Sequence, residues 1–232
     1  MNRVAAIIAL SVSCLLSSVA WAGPPTQFIT SKIKEVRVEL SADNSNSKES
    51  TREVDARLRS ILDPVMEFER LSQNALRSHW KSLADSQRSE FVALFRALVF
   101  HSYLERIRSA NENYTMIYED EEPKGRNAAA VTAISKTRSA EIELVFHLIR
   151  RPPTSWVVED VIIDDVSLVE NYREQFTRII TKDGFGALLK KMGKKLVKLG
   201  GEIPPEVKSL SDKPKSGKKS KRGKKSKRKK KR

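Results

Sequence analysis

The stretch AEIELVFHLI, residues 140–149, decides the fold class, because apolar and polar side chains alternate along it. Successive side chains of a β-strand point to opposite faces. The apolar positions therefore share one face of a predicted strand: Ile142, Leu144, Phe146 and Leu148. Glu141, Glu143 and His147 share the other. A strand of this kind covers a core with one face and meets water with the other.

Three neighbouring segments also read as strands: 114–118, 128–136 and 156–163. The acidic run 119–125 and the Arg151-Pro152-Pro153 stretch are predicted turns between them. Four successive strands with short links predict an antiparallel meander with one face covered by helices.

The segments that flank the strands have the helical period instead. Before the strands we predict helices over 26–40, 51–62, 64–79 and 87–109, with Pro64 in the first turn of the third. After the strands, one helix follows from Leu168 and a second runs from Phe185 to Gly200-Gly201. The 87–109 segment has a broad aromatic stripe, wider than a solvent-facing helix carries. The order helices, sheet, helices predicts an α+β fold.

The first 22 residues are typical of a signal peptide. Arg3 precedes an apolar stretch, and Ala20-Trp21-Ala22 places small residues on both sides of a cleavable bond. The stretch is too short and too rich in serine to favour retention as a membrane anchor. A lipoprotein signal would use Cys14, but Ser11 stands where a large apolar residue is expected. Cleavage after Ala22 predicts a periplasmic protein without cysteine.

The net charge of +15 is concentrated at the C-terminus. Residues 213–232 contain fourteen Lys or Arg and no acid, and Arg3 accounts for the remaining charge, so residues 23–212 sum to zero. A segment of Lys, Arg, Ser and Gly has nothing to bury. The predicted organisation is a signal peptide (1–22), a folded domain (23–205) and a disordered basic tail (206–232).

The basic tail has three interpretations. It holds the protein near an anionic membrane surface through residues 213–232, or it only keeps the chain soluble. The third is a different class of function, an exported protein that binds nucleic acid or another polyanion through its tail. Export argues against nucleic acid as a partner.

Motifs for catalysis or metal binding are missing from the sequence. It contains no G-x-S-x-G elbow, H-E-x-x-H pair or phosphate-binding glycine loop. His79, His101 and His147 are scattered without the spacing of a metal site. We therefore predict no enzyme activity, no catalytic or metal residues and no cofactor.

Several blocks of the sequence together resemble the MlaC family, the toluene-tolerance family of periplasmic phospholipid-binding proteins. The likeness spans roughly residues 26–200 and includes these blocks: ILDP at 61–64, FERLS at 68–72, WVV at 156–158, VSLV at 166–169 and NYR at 171–173. The lysine-rich tail departs from the family pattern.

The resemblance implies a carrier whose cargo is phospholipid. Its acyl chains would lie in an apolar cavity between a curved, four-stranded, mainly antiparallel sheet and helices packed on one face. The implied partners are an outer-membrane lipoprotein complex and an inner-membrane ABC transporter complex with its substrate-binding ring.

The candidate lipid-binding residues come from both kinds of element. The helices would supply Phe68, Phe91, Phe95, Val99, Tyr103, Tyr172 and Phe176. The strands would supply Leu144, Phe146, Leu148, Trp156 and Val158. The pattern alone favours an ordinary core over a pocket for these residues, and only the resemblance reverses that preference.

Two arginines, Arg70 and Arg173, are candidates for binding a headgroup phosphate, since a guanidinium group presents a bidentate fork. The alternative is that they form structural ion pairs, with Glu69, Glu170 or Glu174 as partners.

Overall fold

The computed structural model describes residues 23–41, 48–109, 114–152 and 155–211. The helices before the sheet are α1 Pro24–Ser41, α2 Lys48–Leu62, α3 Phe68–Leu76, α4 Ser78–Lys81 and α5 Asp85–Ser109. The strands are β1 Thr115–Pro123, β2 Ala128–Lys136, β3 Glu141–Arg151, β4 Ser155–Ile163 and β5 Val166–Ser167. The helices after the sheet are α6 Leu168–Asp183, α7 Phe185–Lys198 and α8 Lys208–Ser211. The α+β class is confirmed. The predicted signal peptide and residues 212–232 lie outside the described residues.

The strands form one antiparallel sheet in the order β1-β2-β3-β4-β5. The predicted four-stranded meander is therefore extended by the two-residue β5. A tight turn at Asp164 and Asp165, both with positive φ, connects it to β4. Register shifts in the β1–β2 and β3–β4 pairs mark β-bulges, which bend the strands that contain them.

The predicted turn at 119–125 is wrong, because β1 continues through the acidic run to Pro123. Glu121 lies opposite Val131 and Glu122 lies opposite Ala130, so the run is paired along β2. The chain reverses only after Pro123, where Gly125 adopts a positive φ of 90°.

The predicted helix over 64–79 is also wrong in its bounds, because Pro64 lies in a turn and the helix begins at Phe68. The backbone before Phe68 pairs with the sheet instead. Val158 donates its N–H to the Val65 carbonyl at 2.7 Å, and Glu67 donates its N–H to the Val158 carbonyl at 3.0 Å. The helix then ends before Arg77, whose φ is 46°.

Helices α3, α5, α6 and α7 form a bundle with an aromatic core, which we call the bundle core. Phe95 lies edge-on to Tyr172 and to Phe176, with ring centroids 5.0 and 5.5 Å apart. Such pairs add to the free energy of burial. Val207 is fully buried and Leu210 packs against this core, so the packed part of the chain extends past the predicted domain end at residue 205.

The helices do not all cover one face of the sheet. The bundle contacts the sheet mainly at β4 and β5, whereas α1 crosses β1 and β2. Helix α2 packs between α1 and α5, where Val54 and Leu58 are buried against Phe100 and Leu104. The sheet and the bundle therefore bury two different sets of apolar side chains.

We predict that the bundle core supplies much of the stability. Leu94→Ala removes a fully buried side chain and should lower the free energy of unfolding by about 2–5 kcal/mol. Leu199→Ala removes the same atoms from a residue that is 40% exposed, so the change should stay within about 0.5 kcal/mol. Urea denaturation measures the free energy of unfolding of both variants. Equal losses would contradict the prediction that the bundle core supplies much of the stability.

Candidate functional site

The strand register places one row of apolar side chains on a single face of the sheet, which we call the α1 face. Leu144 lies opposite Ala133 and Ile163, and Leu148 lies opposite Ala129 and Val158. Residues directly opposite one another share a face. A buried cluster on this face, the sheet cluster, consists of Ile29, Val65, Val131, Leu148 and Val158.

Helix α1 is attached to this face by a carboxylate at its first turn. Pro24 and Pro25 have no N–H, so the first N–H that the helix offers is that of Thr26. Glu121 Oε2 accepts it at 2.9 Å and also accepts the Thr26 hydroxyl at 2.6 Å. A negative charge is favourable at a helix N-terminus. Gly23 lies so close to this carboxylate that a Cβ would overlap it.

The β3–β4 half of the α1 face is only partly covered. Helix α1 contacts β1 and β2, and the side chains beyond them keep some contact with solvent. Ile142 is 37% exposed, and several others are half-buried: Leu144, Phe146, Trp156, Val161 and Ile163. A row of adjacent apolar side chains in contact with water is typical of a binding surface.

A groove of about 750 Å³ opens between α1 and the start of β1. We call it the α1–β1 groove, and these residues line it: Thr30, Ile33, Lys34, Arg37, Val38, Ser41, Tyr114, Thr115, Met116 and Tyr118. A hydrogen bond joins the Tyr118 hydroxyl to the Thr30 side chain, and burial raises the pKa of Tyr118. Ile33 and Tyr118 also pack against the sheet cluster, so the groove adjoins that cluster.

The structure separates the predicted lipid-binding residues into two groups. The strand residues lie on the α1 face: Leu144, Phe146, Leu148, Trp156 and Val158. The helix residues lie in or against the bundle core: Phe68, Phe91, Phe95, Val99, Tyr103, Tyr172 and Phe176. Phe91 and Phe95 have no exposed surface. Contact of either group with a ligand stays a prediction.

The sequence pattern did not assign α1 to the site, although its apolar period was visible. Phe28, Ile29 and Ile33 pack against the sheet cluster from this helix. The helical spacing of Ile29, Ile33, Val36 and Leu40 predicted an amphipathic helix but not the surface on which it would lie. Only the register of β1 and β2 identifies that surface.

The two candidate headgroup arginines form ion pairs. Arg70 Nε lies 2.6 Å from Glu159 Oε2, and Arg173 pairs with Glu170 while donating to the Asn74 carbonyl at 3.0 Å. Both line a polar groove whose other residues include four carboxylates. Glu170 was a predicted alternative partner, whereas Glu159 was not. Tyr103 packs against the bundle core, and burial raises its pKa.

Two further features concern the described residues alone. None of their helices has the length and apolar character to cross a bilayer. They contain no group of three or more His, Cys, Asp or Glu side chains arranged for a metal ion.

A partly covered apolar layer beside an open apolar groove defines the class, a small α+β binding protein. A family model described as MlaC protein matches residues 30–194, which is well over half of the 232 residues. The chain belongs to the MlaC family.

One similar solved structure is a phospholipid-binding protein from Ralstonia solanacearum, in complex with a phospholipid. The TM-score is 0.65 at 20% sequence identity, over 75% of this chain and 97% of that one. At this identity the likeness shows the shared fold. Comparison with curated proteins finds no match.

We predict that Glu121 holds α1 on the sheet. Glu121→Ala removes both hydrogen bonds to Thr26 and the charge at the helix N-terminus, which should cost about 1–2 kcal/mol of unfolding free energy.

Glu122→Ala is the matched control, because its exposed side chain pairs with Lys124 at the surface and surface ion pairs contribute little. Chemical denaturation compares the two variants. Similar stability of both would argue against the anchoring role of Glu121.

Proposed function

We propose that this protein is a periplasmic phospholipid carrier, the soluble component of an ABC lipid transport system that maintains outer-membrane lipid asymmetry. Phospholipid is its cargo, held without chemical change. Export and cleavage after Ala22 would place it between the two membranes.

The observation that carries the proposal is the incomplete cover of the α1 face. A protein of this size ordinarily buries such apolar rows under a second layer. Here Leu144, Phe146 and Ile163 keep contact with solvent on β3 and β4, and the α1–β1 groove opens to water at the other side of the same sheet. Acyl chains have the chemistry to cover these side chains.

The energetics favour a carrier of this kind. Each methylene removed from water contributes about 0.8 kcal/mol, so two chains of roughly 15 methylenes contribute at most about 24 kcal/mol. A free phospholipid therefore does not cross an aqueous gap on its own at a useful rate. An apolar surface that accepts the chains removes most of that cost, and no catalytic group is needed.

Family membership and the Ralstonia structure support the same proposal. The family model covers the chain from Thr30 in α1 to Lys194 in α7, which includes the whole sheet. The similar structure contains a phospholipid. We propose that the protein exchanges its cargo with an outer-membrane lipoprotein complex and with an inner-membrane transporter complex that includes a substrate-binding ring.

We predict that phospholipid co-purifies with the protein. Solvent extraction and mass spectrometry of the full chain should detect it. Leu144→Gln places an amide on the α1 face and should lower the amount of bound lipid several-fold. Val145→Gln changes the next residue, also half-buried but on the opposite face, and should leave the amount unchanged.

Both variants need matching denaturation curves, so that a loss of lipid reflects the site. A wild-type chain that never binds lipid, in extracts or from vesicles, would overturn the proposed function. Equal loss in both variants would overturn the placement of the cargo on the α1 face.

We also propose that residues 213–232 hold the carrier near anionic membranes. Each Lys or Arg near such a surface contributes about 1 kcal/mol, and salt screens the attraction. Removal of 213–232 should therefore weaken binding to vesicles of anionic phospholipid strongly at low salt. Cosedimentation measures it.

The truncation begins after Asp212 because Val207 is buried and Leu210 packs against the bundle core. A full-length variant with Gln in place of the fourteen Lys and Arg residues is the control for length. Unchanged vesicle binding in both proteins would refute the tail proposal and leave the cargo proposal standing.

A further inference from the structure

We infer that the α1–β1 groove binds the phosphate end of the cargo, that Lys34 and Arg37 contact the phosphate, and that the site prefers phospholipids with a net negative headgroup. This inference rests on the proposed function and deepens it. The two arginines favoured by the sequence are already paired with carboxylates, whereas Lys34 and Arg37 are not paired with any among the described residues.

The charge of the groove is the first argument. Its described lining includes two cations and no acid, whereas the groove around Arg70 and Arg173 includes four carboxylates. The nearest acids along α1 are engaged elsewhere. Glu35 and Glu39 each form an ion pair with a different cation, at N–O distances of 2.8 and 2.6 Å. Among the residues that the structure describes, no carboxylate therefore compensates the two cations of the groove.

The position of the two cations is the second argument. They are three residues apart on α1, so their side chains lie on the same side of the helix. The Arg37 guanidinium lies over the Tyr114 ring, 4.5 Å from its centroid, and donates to the Tyr114 carbonyl at 3.3 Å. A stacked guanidinium group loses less conformational freedom when it binds. Arg37 is thus held at the rim of the groove.

The apolar part of the groove is the third argument. Val38 is 59% exposed and lines the groove together with Ile33, Met116 and Tyr118. Ile33 and Tyr118 connect the groove to the sheet cluster. The volume of about 750 Å³ falls within the range of about 300–1,000 Å³ for small-molecule sites. An amphiphile fits this arrangement, with its chains toward the sheet and its phosphate at the rim.

The headgroup preference follows from electrostatics. A phosphate diester offers acceptor oxygens that an arginine fork and a lysine ammonium both bind. A zwitterionic headgroup adds its own ammonium close to these two cations, and like charges repel. A headgroup that ends in neutral hydroxyls avoids that repulsion. The groove therefore selects net anionic phospholipids.

The test compares two double variants of the full chain. Lys34→Gln/Arg37→Gln removes the groove cations. Arg178→Gln/Lys190→Gln removes one exposed arginine on α6 and one exposed lysine on α7, both outside the groove. Each protein is loaded from vesicles of equimolar phosphatidylglycerol and phosphatidylethanolamine, and mass spectrometry measures the ratio and total of the bound lipids.

We expect the wild-type chain and the control to bind mostly phosphatidylglycerol. The groove variant should lower the ratio of phosphatidylglycerol to phosphatidylethanolamine about fivefold or more. One cation near an anionic headgroup contributes about 1 kcal/mol of binding free energy, which corresponds to about a fivefold change in affinity. Total lipid should fall less, since the acyl chains provide most of the binding energy. All three proteins keep the tail, so its attraction to vesicles cancels.

An unchanged ratio in the groove variant would overturn the inference, as would an equal change in the control or an equal loss of both lipids. Those results leave the carrier proposal intact. A wild-type chain that takes up neither lipid would instead refute the proposed function itself.

Discussion

The rest of the structure depends on a short backbone connection between the sheet and the bundle. Two hydrogen bonds join Val158 of β4 to Val65 and Glu67, immediately before α3. Strand β5 pairs with only the end of β4, and these two hydrogen bonds use another part of the same β4 edge. The helical bundle therefore continues from the edge of the sheet and does not lie across its face. Met66, between the two bonded residues, packs against both the bundle core and the sheet cluster. The apolar side chains are consequently divided between two layers.

This division separates a closed core from a partly open apolar layer. The bundle core is closed, with aromatic rings in mutual contact and no exposed surface on Phe91 or Phe95. The sheet has a single long helix on its apolar face, held at its first turn by Glu121. Because the bundle buries so much apolar surface, the fold tolerates exposed side chains on β3 and β4. A fully packed second layer would add stability and leave none of these apolar side chains open to solvent.

Charge is distributed with a similar separation of roles. Residues 23–212 are neutral in sum, yet their carboxylates and cations are unevenly paired at the surface. Four carboxylates lie around Arg70 and Arg173, whereas the described lining of the groove at Lys34 and Arg37 contains none. A carboxylate that pairs with a cation competes with a phosphate for the same hydrogen-bond donors. The environment of each arginine, and not its presence, therefore decides whether it is available to a phosphate.

The sequence by itself determined the α+β class, most strand positions and the two long helices after the sheet, α6 and α7, because alternation with period 2 or 3.6 is a local property. The errors of the sequence-based prediction arose where distant segments pair. The acidic run 119–125 is mostly strand because β2 pairs with it. The helix expected from Pro64 begins at Phe68 because β4 forms hydrogen bonds with the preceding backbone. Tertiary structure alone decided which apolar side chains close a core and which stay open. Burial depends on what packs opposite a residue. The helical spacing of Phe91 and Phe95 would look the same in the sequence whether these side chains closed a core, as they do, or lined an open pocket.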